Sequence, residues 1–242
     1  MSWHEQGFCG FDVETTGTDP EHDRIVTAAV VTDGGGRPGA VRQWIADPDI
    51  PISPGATAVH GFTTEAAREA GRPAHLVVSE VLDVLADLVA AGRPLVVMNA
   101  PYDLTMLEAE AERHGLRGLF ARQVPVVLDP IVLDKHVDRY RPGARRLDAL
   151  ARHYGVQLDD AHDSAADAVA ACQVTRAVVS RTYELARLSL SELHEQQARW
   201  AVEQQESLRE HFATTPGKEH RARTVRVGWP LIPAMRPEVW PA

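Results

Sequence analysis

The stretch Phe8-Cys9-Gly10-Phe11-Asp12-Val13-Glu14-Thr15-Thr16-Gly17 constrains this chain more than any other. Its apolar lead-in reads as a short buried strand, and Thr15-Thr16-Gly17 reads as the sharp turn that ends it. Side chains alternate along a strand, so Asp12 and Glu14 share one face, roughly 7 Å apart at the backbone, while Phe11 and Val13 face the packing. Two carboxylates on a buried strand repel each other and resist leaving water unless a positive charge sits between them. A hard divalent cation, Mg²⁺ or Mn²⁺, meets that need with oxygen ligands. Taken alone, the pair reads equally well as a solvated couple at a strand end.

Downstream, β-branched residues from Asp23 to Thr32 form a second strand, Asp33-Gly34-Gly35-Gly36 a turn, and Val41 to Ile45 a third strand. These three make an antiparallel meander. An irregular segment with Pro48, Pro51 and Pro54 follows, ending at His60-Gly61, and Thr63 or Thr64 caps a short helix from Glu65 to Ala70. Apolar residues recur at helical spacing between Pro73 and Ala91, with Gly92 as the stop. Leu95 to Met98 is a continuous apolar strand, of the kind buried on both faces. Pro101 opens a helix to about His114, and a strand from Val124 to Leu128 leads into a helix from Pro130 to Arg139. A short helix over Arg145–His153 and the alanine- and valine-rich core helix carried by Ala161–Arg187 complete a pattern of strands alternating with helices. That pattern is α/β around a mixed sheet, where ligands bind beyond the strand ends.

Two further acidic clusters lie where such a sheet would present them. In Asn99-Ala100-Pro101-Tyr102-Asp103-Leu104, Asp103 falls in the first turn of a helix, where the dipole favours a carboxylate whatever its function. In His162-Asp163-Ser164-Ala165-Ala166-Asp167-Ala168, Asp163 is a plausible N-cap and Asp167 lies one turn inside. The neighbours of Asp167 are all small, so backbone can approach, and a buried acid there needs a partner.

Composition narrows the class. Asp and Glu number 34 against 25 Lys and Arg, a formal charge of -9, which is not the balance of a protein that holds duplex nucleic acid by charge alone. Metal-binding carboxylates would add to that negative count. The two cysteines, Cys9 and Cys172, have neither disulfide-framework nor zinc spacing and read as small packing residues. No signal-peptide pattern opens the sequence, and no apolar run approaches the ~20 residues of a membrane helix, so a cytoplasmic protein without membrane partners is expected.

Taken in order, D-x-E-T-T-G, N-A-x-Y-D-L and H-D-x-x-x-D-A closely resemble the DEDDh 3′–5′ exonucleases, the DnaQ-like family of the proofreading epsilon subunit of bacterial DNA polymerase III, ribonuclease T and oligoribonuclease. Val59-His60-Gly61-Phe62-Thr63 looks like that family's V-H-G-I-T, and Arg146-Leu147-Asp148-Ala149-Leu150 precedes the third motif as expected. The resemblance covers residues 7 to 185. Departures are Met98 where His often stands, Tyr102 for Phe, and Ser164 for Ala. It implies a ribonuclease H-like fold: a five-stranded mixed sheet with helices on both faces. It also implies four metal-binding acids, Asp12, Glu14, Asp103 and Asp167, with His162 as the catalytic histidine. Thr15, Thr16, Gly17, His60, Asn99 and Tyr102 are the candidates for holding the terminal nucleotide.

The chemistry suits those residue types. Phosphodiester hydrolysis needs an activated water, in-line attack and a stabilised leaving oxygen, which two divalent ions about 4 Å apart supply together. Asp12 would bridge them, Glu14 and Asp167 would complete the nucleophile-side ion, Asp103 would support the other, and His162 would take the proton from water. The expected substrate is a free 3′ end, single-stranded or frayed DNA, releasing 5′-nucleoside monophosphates in proofreading or repair. RNA processing, or a catalytically silent module associated with a polymerase, are the alternatives.

Residues 1–187 are therefore expected to form the exonuclease domain, and residues 188–242 a C-terminal helix and Pro-rich tail. Every expected catalytic residue lies upstream of that boundary. Gln205-Glu206-Ser207-Leu208, followed by Phe212, partly resembles the Q-x-x-L-x-x-F-F peptide that docks on sliding clamps, with His211 in one aromatic position.

Overall fold

The acid-bearing strand is central in the sheet. A computed structural model describes residues 3–36, 38–158 and 162–233. After a single 3-10 turn, Trp3–Glu5, β1 (Cys9–Thr15), β2 (Ile25–Asp33) and β3 (Pro38–Asp47) form the expected antiparallel meander. Two short helices, α1 (Pro54–His60) and α2 (Thr64–Ala70), lead to β4 (Arg72–Pro73) and the long α3 (Ala74–Ala90). The chain then alternates: β5 (Leu95–Val96), α4 (Ala100–Arg113), α5 (Leu119–Arg122), β6 (Val127–Leu128), α6 (Pro130–Val137), α7 (Leu147–Tyr154) and α8 (Ser164–Ser180). A turn of helix, α9 (Tyr183–Ala186), precedes α10 (Leu190–Thr214) and α11 (Glu219–Ala222). The sheet order is β4-β3-β2-β1-β5-β6, with β5 parallel to β1 and β6 parallel to β5.

Two apolar layers cover the two faces. Phe11 and Val13 of β1 pack with Val77, Val81 and Leu85 of α3 and Leu104 and Leu107 of α4. Ala29 and Val31 of β2 pack on the opposite layer with Ala165, Ala168 and Cys172 of α8, Leu133 of α6 and Leu150 of α7. Cys9 and Cys172 are buried free thiols, used as small packing residues.

Several boundaries differ from the sequence reading, each for a local reason. The sheet has six strands rather than five. The sixth, β4, is two residues that pair in parallel with Ala46 and Asp47 of β3, too short to carry a readable alternation. The segment expected to be irregular contains α1, where the Ser53 side chain caps the Ala56 N–H, Pro54 takes the first turn and Gly61 ends the helix at φ 80°. Thr63, not Thr64, caps α2. Within the span 161–187 the helix begins at Ser164 with Asp163 as its cap, as the sequence reads it, and residues 159–161 lie outside the described residues.

Helix α10 packs on β6 and α6, and its Leu193 and Ala201 are buried. Beyond it the chain returns across α4, with Trp229 and Leu231 against the first apolar layer. Of the expected Pro-rich tail, Pro237 and Pro241 lie outside the described residues. Among the described residues no helix is long and apolar enough to cross a membrane.

Candidate active site

Asp12 and Glu14 lie opposite Ala29 and Thr27 of β2, on the face covered by α8. Gly10 is the residue two before Asp12 on that face and sets how closely α8 approaches. A Cβ at Gly10 would come within 2.8 Å of the Ala168 carbonyl and of Cys172 Sγ. Only a glycine lets the strand and helix meet at this distance, and Asp167 directly precedes Ala168. Helix α8 begins where it does because the Asp163 carboxylate accepts the Ala165 and Ala166 N–H groups at 3.1 and 3.0 Å. The small residues around Asp167 therefore serve the close approach read from the sequence.

Asp103 arrives from the other flank. Strand β5 pairs with β1 only at Cys9 and Gly10, then leaves the sheet as the start of α4. In the resulting gap Asp103 Oδ1 accepts the Val13 N–H at 3.1 Å. This is the diverging-strand crevice at which α/β sheets bind ligands. His162 sits just before α8 in a left-handed conformation, φ 74°, and its N–H donates to Asp167 Oδ2 at 3.3 Å. Donor atoms of Glu14, His162 and Asp167 lie within 4.8 Å of one another.

The electrostatics place Asp12 among these acids. Burial raises its carboxyl well above the ordinary carboxylate range, and the charges of Asp103, Asp167 and Glu14 raise it further. Glu14 is pushed up to about 8, by burial first and then by Asp167 and Asp163. Burial raises Asp103 strongly against the opposing Val13 N–H, with Glu14 and Asp129 adding to the rise. Asp167 is raised by burial, which outweighs its bond from His162. The other oxygen of Asp167, Oδ1, is buried and has no hydrogen-bond partner. An orphaned carboxylate oxygen among acids that resist ionisation fits a bound cation: oxygen donors are present, and a positive charge is what they lack.

The sequence model of the exonuclease family RNase T matches residues 9–175. The chain belongs to this exonuclease family. The DnaQ-like 3′–5′ exonuclease resemblance drawn from its motifs therefore stands. A PolC-type DNA polymerase III of Caldanaerobacter subterraneus subsp. tengcongensis is 27% identical over 190 residues, which is 78% of this chain but 13% of that protein. The fold is similar to that of exonuclease I, with a TM-score of 0.65 at 20% identity over 74% of this chain and 42% of that one. Escherichia coli exonuclease I in complex with a dT13 oligonucleotide gives a TM-score of 0.64 at 20% identity, again over 74% of this chain and 42% of the other. The exonuclease thus spans only a fraction of the length of these relatives.

The candidates for holding a nucleotide divide by what their polar atoms already do. Thr15 Oγ1 and the Tyr102 hydroxyl lie 2.6 Å apart and each 2.7 Å from the Gly17 carbonyl, so one donates to that carbonyl and the other is free to donate to its hydroxyl neighbour. Tyr102 is pushed up to about 12 by burial, so it stays a neutral donor. Thr16 is buried, donating to Asp23 at 2.7 Å and accepting the Arg24 N–H at 3.0 Å. These groups build the turn after β1. His60 accepts the Phe62 N–H on Nδ1, which leaves Nε2 to donate to the Thr15 carbonyl at 3.1 Å. Burial lowers its pKa, so the ring remains neutral. Asn99 is exposed and left-handed at φ 59°, and its side chain caps nothing. Asn99 and His162 are two of the three described non-glycine residues with positive φ, and such backbone is characteristic of functional sites.

Sequence reasoning missed the walls beside His162. Trp44, Phe62 and Gln43, beside the already expected His60, line a cleft of about 360 Å³ with His162 and Asp163. Trp44 comes from β3 and Phe62 from the loop after α1, and no spacing in the sequence links them. It also missed Asp129, fully buried and pushed up to about 6 by that burial. The Asp129-Pro130 pair ahead of a helix was a readable cap signal.

Proposed function

We propose that this exonuclease hydrolyses the terminal phosphodiester at the 3′ end of single-stranded DNA, releasing 5′-nucleoside monophosphates with two Mg²⁺ or Mn²⁺ ions. The observation that carries the reading is the meeting of Asp12, Glu14, Asp103 and Asp167 around an unpartnered Asp167 oxygen, with His162 beside them. Asp12 would serve both ions, Glu14 and Asp167 one, and Asp103, held by Val13, the other. Bound there, the cations would supply an acidified water and charge neutralisation of the attacking and leaving oxygens. His162, exposed at the rim, would accept the proton of the attacking water. The Trp44 and Phe62 cleft would take the terminal nucleotide, with Asn99 free to bond it.

DNA is favoured over RNA because the structural relative holds a dT13 oligonucleotide and the sequence relative is a DNA polymerase III chain. A role in proofreading or repair in the cytoplasm, beside a polymerase or sliding clamp, is the matching assignment. Gln205, the first residue of the clamp-like peptide, bonds both the N–H and the carbonyl of Gly228, at 2.9 and 3.1 Å. A clamp that took this peptide would first have to release it.

The test is digestion of matched 5′-labelled single-stranded DNA and RNA oligonucleotides with Mg²⁺, with Mn²⁺ and with excess EDTA. Stepwise shortening of DNA from its 3′ end, with mononucleotide products and no EDTA activity, is the expected result. Preferential shortening of RNA would transfer the enzyme to RNA processing. No hydrolysis of either would leave a binding module.

A further inference from the structure

The C-terminal segment lies outside residues 9–175, which the family model matches, yet it holds helix α4 on both sides of Asp103. Strand β6 is the sheet's edge, and an edge strand presents unpaired backbone groups. Helix α10 covers it with side chains rather than with another strand. His194 accepts the Val127 N–H at 3.0 Å. Gln197, fully buried, accepts the Asp129 N–H at 2.8 Å and donates to the Val127 carbonyl at 3.1 Å. The residue so fixed, Asp129, carries the carboxylate that starts α4. Its oxygens accept the Asn99 and Ala100 N–H groups at 3.3 and 3.0 Å, and also the Ile131 N–H at 2.9 Å. Beyond Asp103, the Ile232 N–H donates to Thr105 Oγ1 at 2.8 Å. Asp103 therefore lies between two points that residues 188–233 secure.

We propose that Gln197 is a positioning residue for Asp103, acting through Asp129, and that the Ile232–Thr105 bond is the second point of the same clamp. The proposal rests on the metal-dependent reading above, because the carboxylate being positioned is one of the proposed ligands. Losing a contact made directly to a ligand weakens metal binding by about 10–100-fold, and Gln197 acts one residue further out, so the low end of that range is expected. An amide at residue 197 suits the role because it supplies an acceptor and a donor to two backbone groups two residues apart, the Asp129 N–H and the Val127 carbonyl. An apolar side chain there would leave both unmet.

The experiment is calorimetric titration of the full-length protein with Mn²⁺, alongside thermal melting, for wild type, Gln197→Met, Thr105→Val and Gln204→Met. Gln204 is the control, since its amide joins α10 to the Val132 carbonyl of α6 at 3.1 Å without reaching Asp129. Gln197→Met is expected to weaken Mn²⁺ binding by about tenfold and Thr105→Val by less, while Gln204→Met changes melting without changing affinity. Equal weakening by Gln204→Met and Gln197→Met would assign the effect to general packing and overturn the proposal. So would unchanged affinity in a folded Gln197→Met protein. If that variant does not fold, Thr105→Val decides in the same way. Absence of Mn²⁺ binding in the wild type would instead defeat the two-metal reading itself.

Discussion

The two acids on β1 and the two on helices reach the same crevice by different means. Asp12 and Glu14 are set by the pleat of one strand and its register with β2, so their geometry is settled within a few residues. Asp103 and Asp167 ride on the first turns of α4 and α8, which come from distant parts of the chain. Their positions depend on the Asp129 carboxylate, the Asp163 cap and the glycine that lets α8 lie close. The strand pair should therefore be sensitive only to its own replacement. The helix pair should be sensitive to changes that never touch the acids.

The largest effect expected is on the strand side. Asp12→Asn should abolish turnover while leaving circular dichroism unchanged, because the carboxylate is lost but the strand's backbone bonds remain. Activity near wild type in that variant would remove Asp12 from the mechanism. Next comes His162→Ala, for which a rate loss of about 10²–10⁴ is expected with Mn²⁺ affinity retained, as befits a proton acceptor that is not a ligand. If the rate at neutral pH hardly moves, His162 has no such role.

Gly10→Ala tests the helix side without altering any acid. Its methyl group has no room against Ala168 and Cys172, so α8 must shift, with an expected destabilisation of about 1–3 kcal/mol in denaturant unfolding. Metal affinity should fall with it, since Asp167 moves with the helix. Affinity that stays constant while stability drops would show that Asp167 tolerates the displacement.

A pH dependence separates the metal-free from the metal-bound protein. Burial raises Glu14 from its ordinary value of 4.5 to about 8. Between those values the folded protein holds a proton that the unfolded chain has released. The associated stability is complete below pH 4.5 and is lost as pH rises to about 8. Melting in EDTA should therefore show this loss, and Mn²⁺ should cancel it by favouring the ionised acids. In Glu14→Gln the metal-free loss over this interval should shrink. An unchanged pH profile in that variant would place the titration elsewhere.

The meander was legible because β1 to β3 are long enough to show alternation, and the acids were legible because each stands in a recognisable local motif. β4 was not legible, since two residues carry no period, whereas β5 and β6 were read as longer strands, Leu95 to Met98 and Val124 to Leu128, than the two residues each that pair. The clamp-like peptide, read from spacing alone, has a contact in the fold that spacing did not show. Gln205 matches a spacing, yet in the fold its amide bonds Gly228, because a polar residue on a helix takes whatever backbone packs against it. Part of the polar character of α10 has the same source, since Gln197, Gln204 and Gln205 each bond backbone brought to them by folding, while its Glu and Arg residues face solvent.

The sequence by itself determined the α/β alternation, the shared face of Asp12 and Glu14, the cap that starts α8 and the exonuclease motifs, because each depends on neighbours a few residues apart. Only the tertiary structure decided that Asp103 would take the Val13 N–H, that Trp44 would share a cleft with His162, and that Gln197 would fix Asp129. Those contacts join residues 90, 118 and 68 positions apart. No local periodicity records a partner at that distance; it is chosen by which backbone groups the closed sheet leaves unpaired and which side chains the packing brings against them.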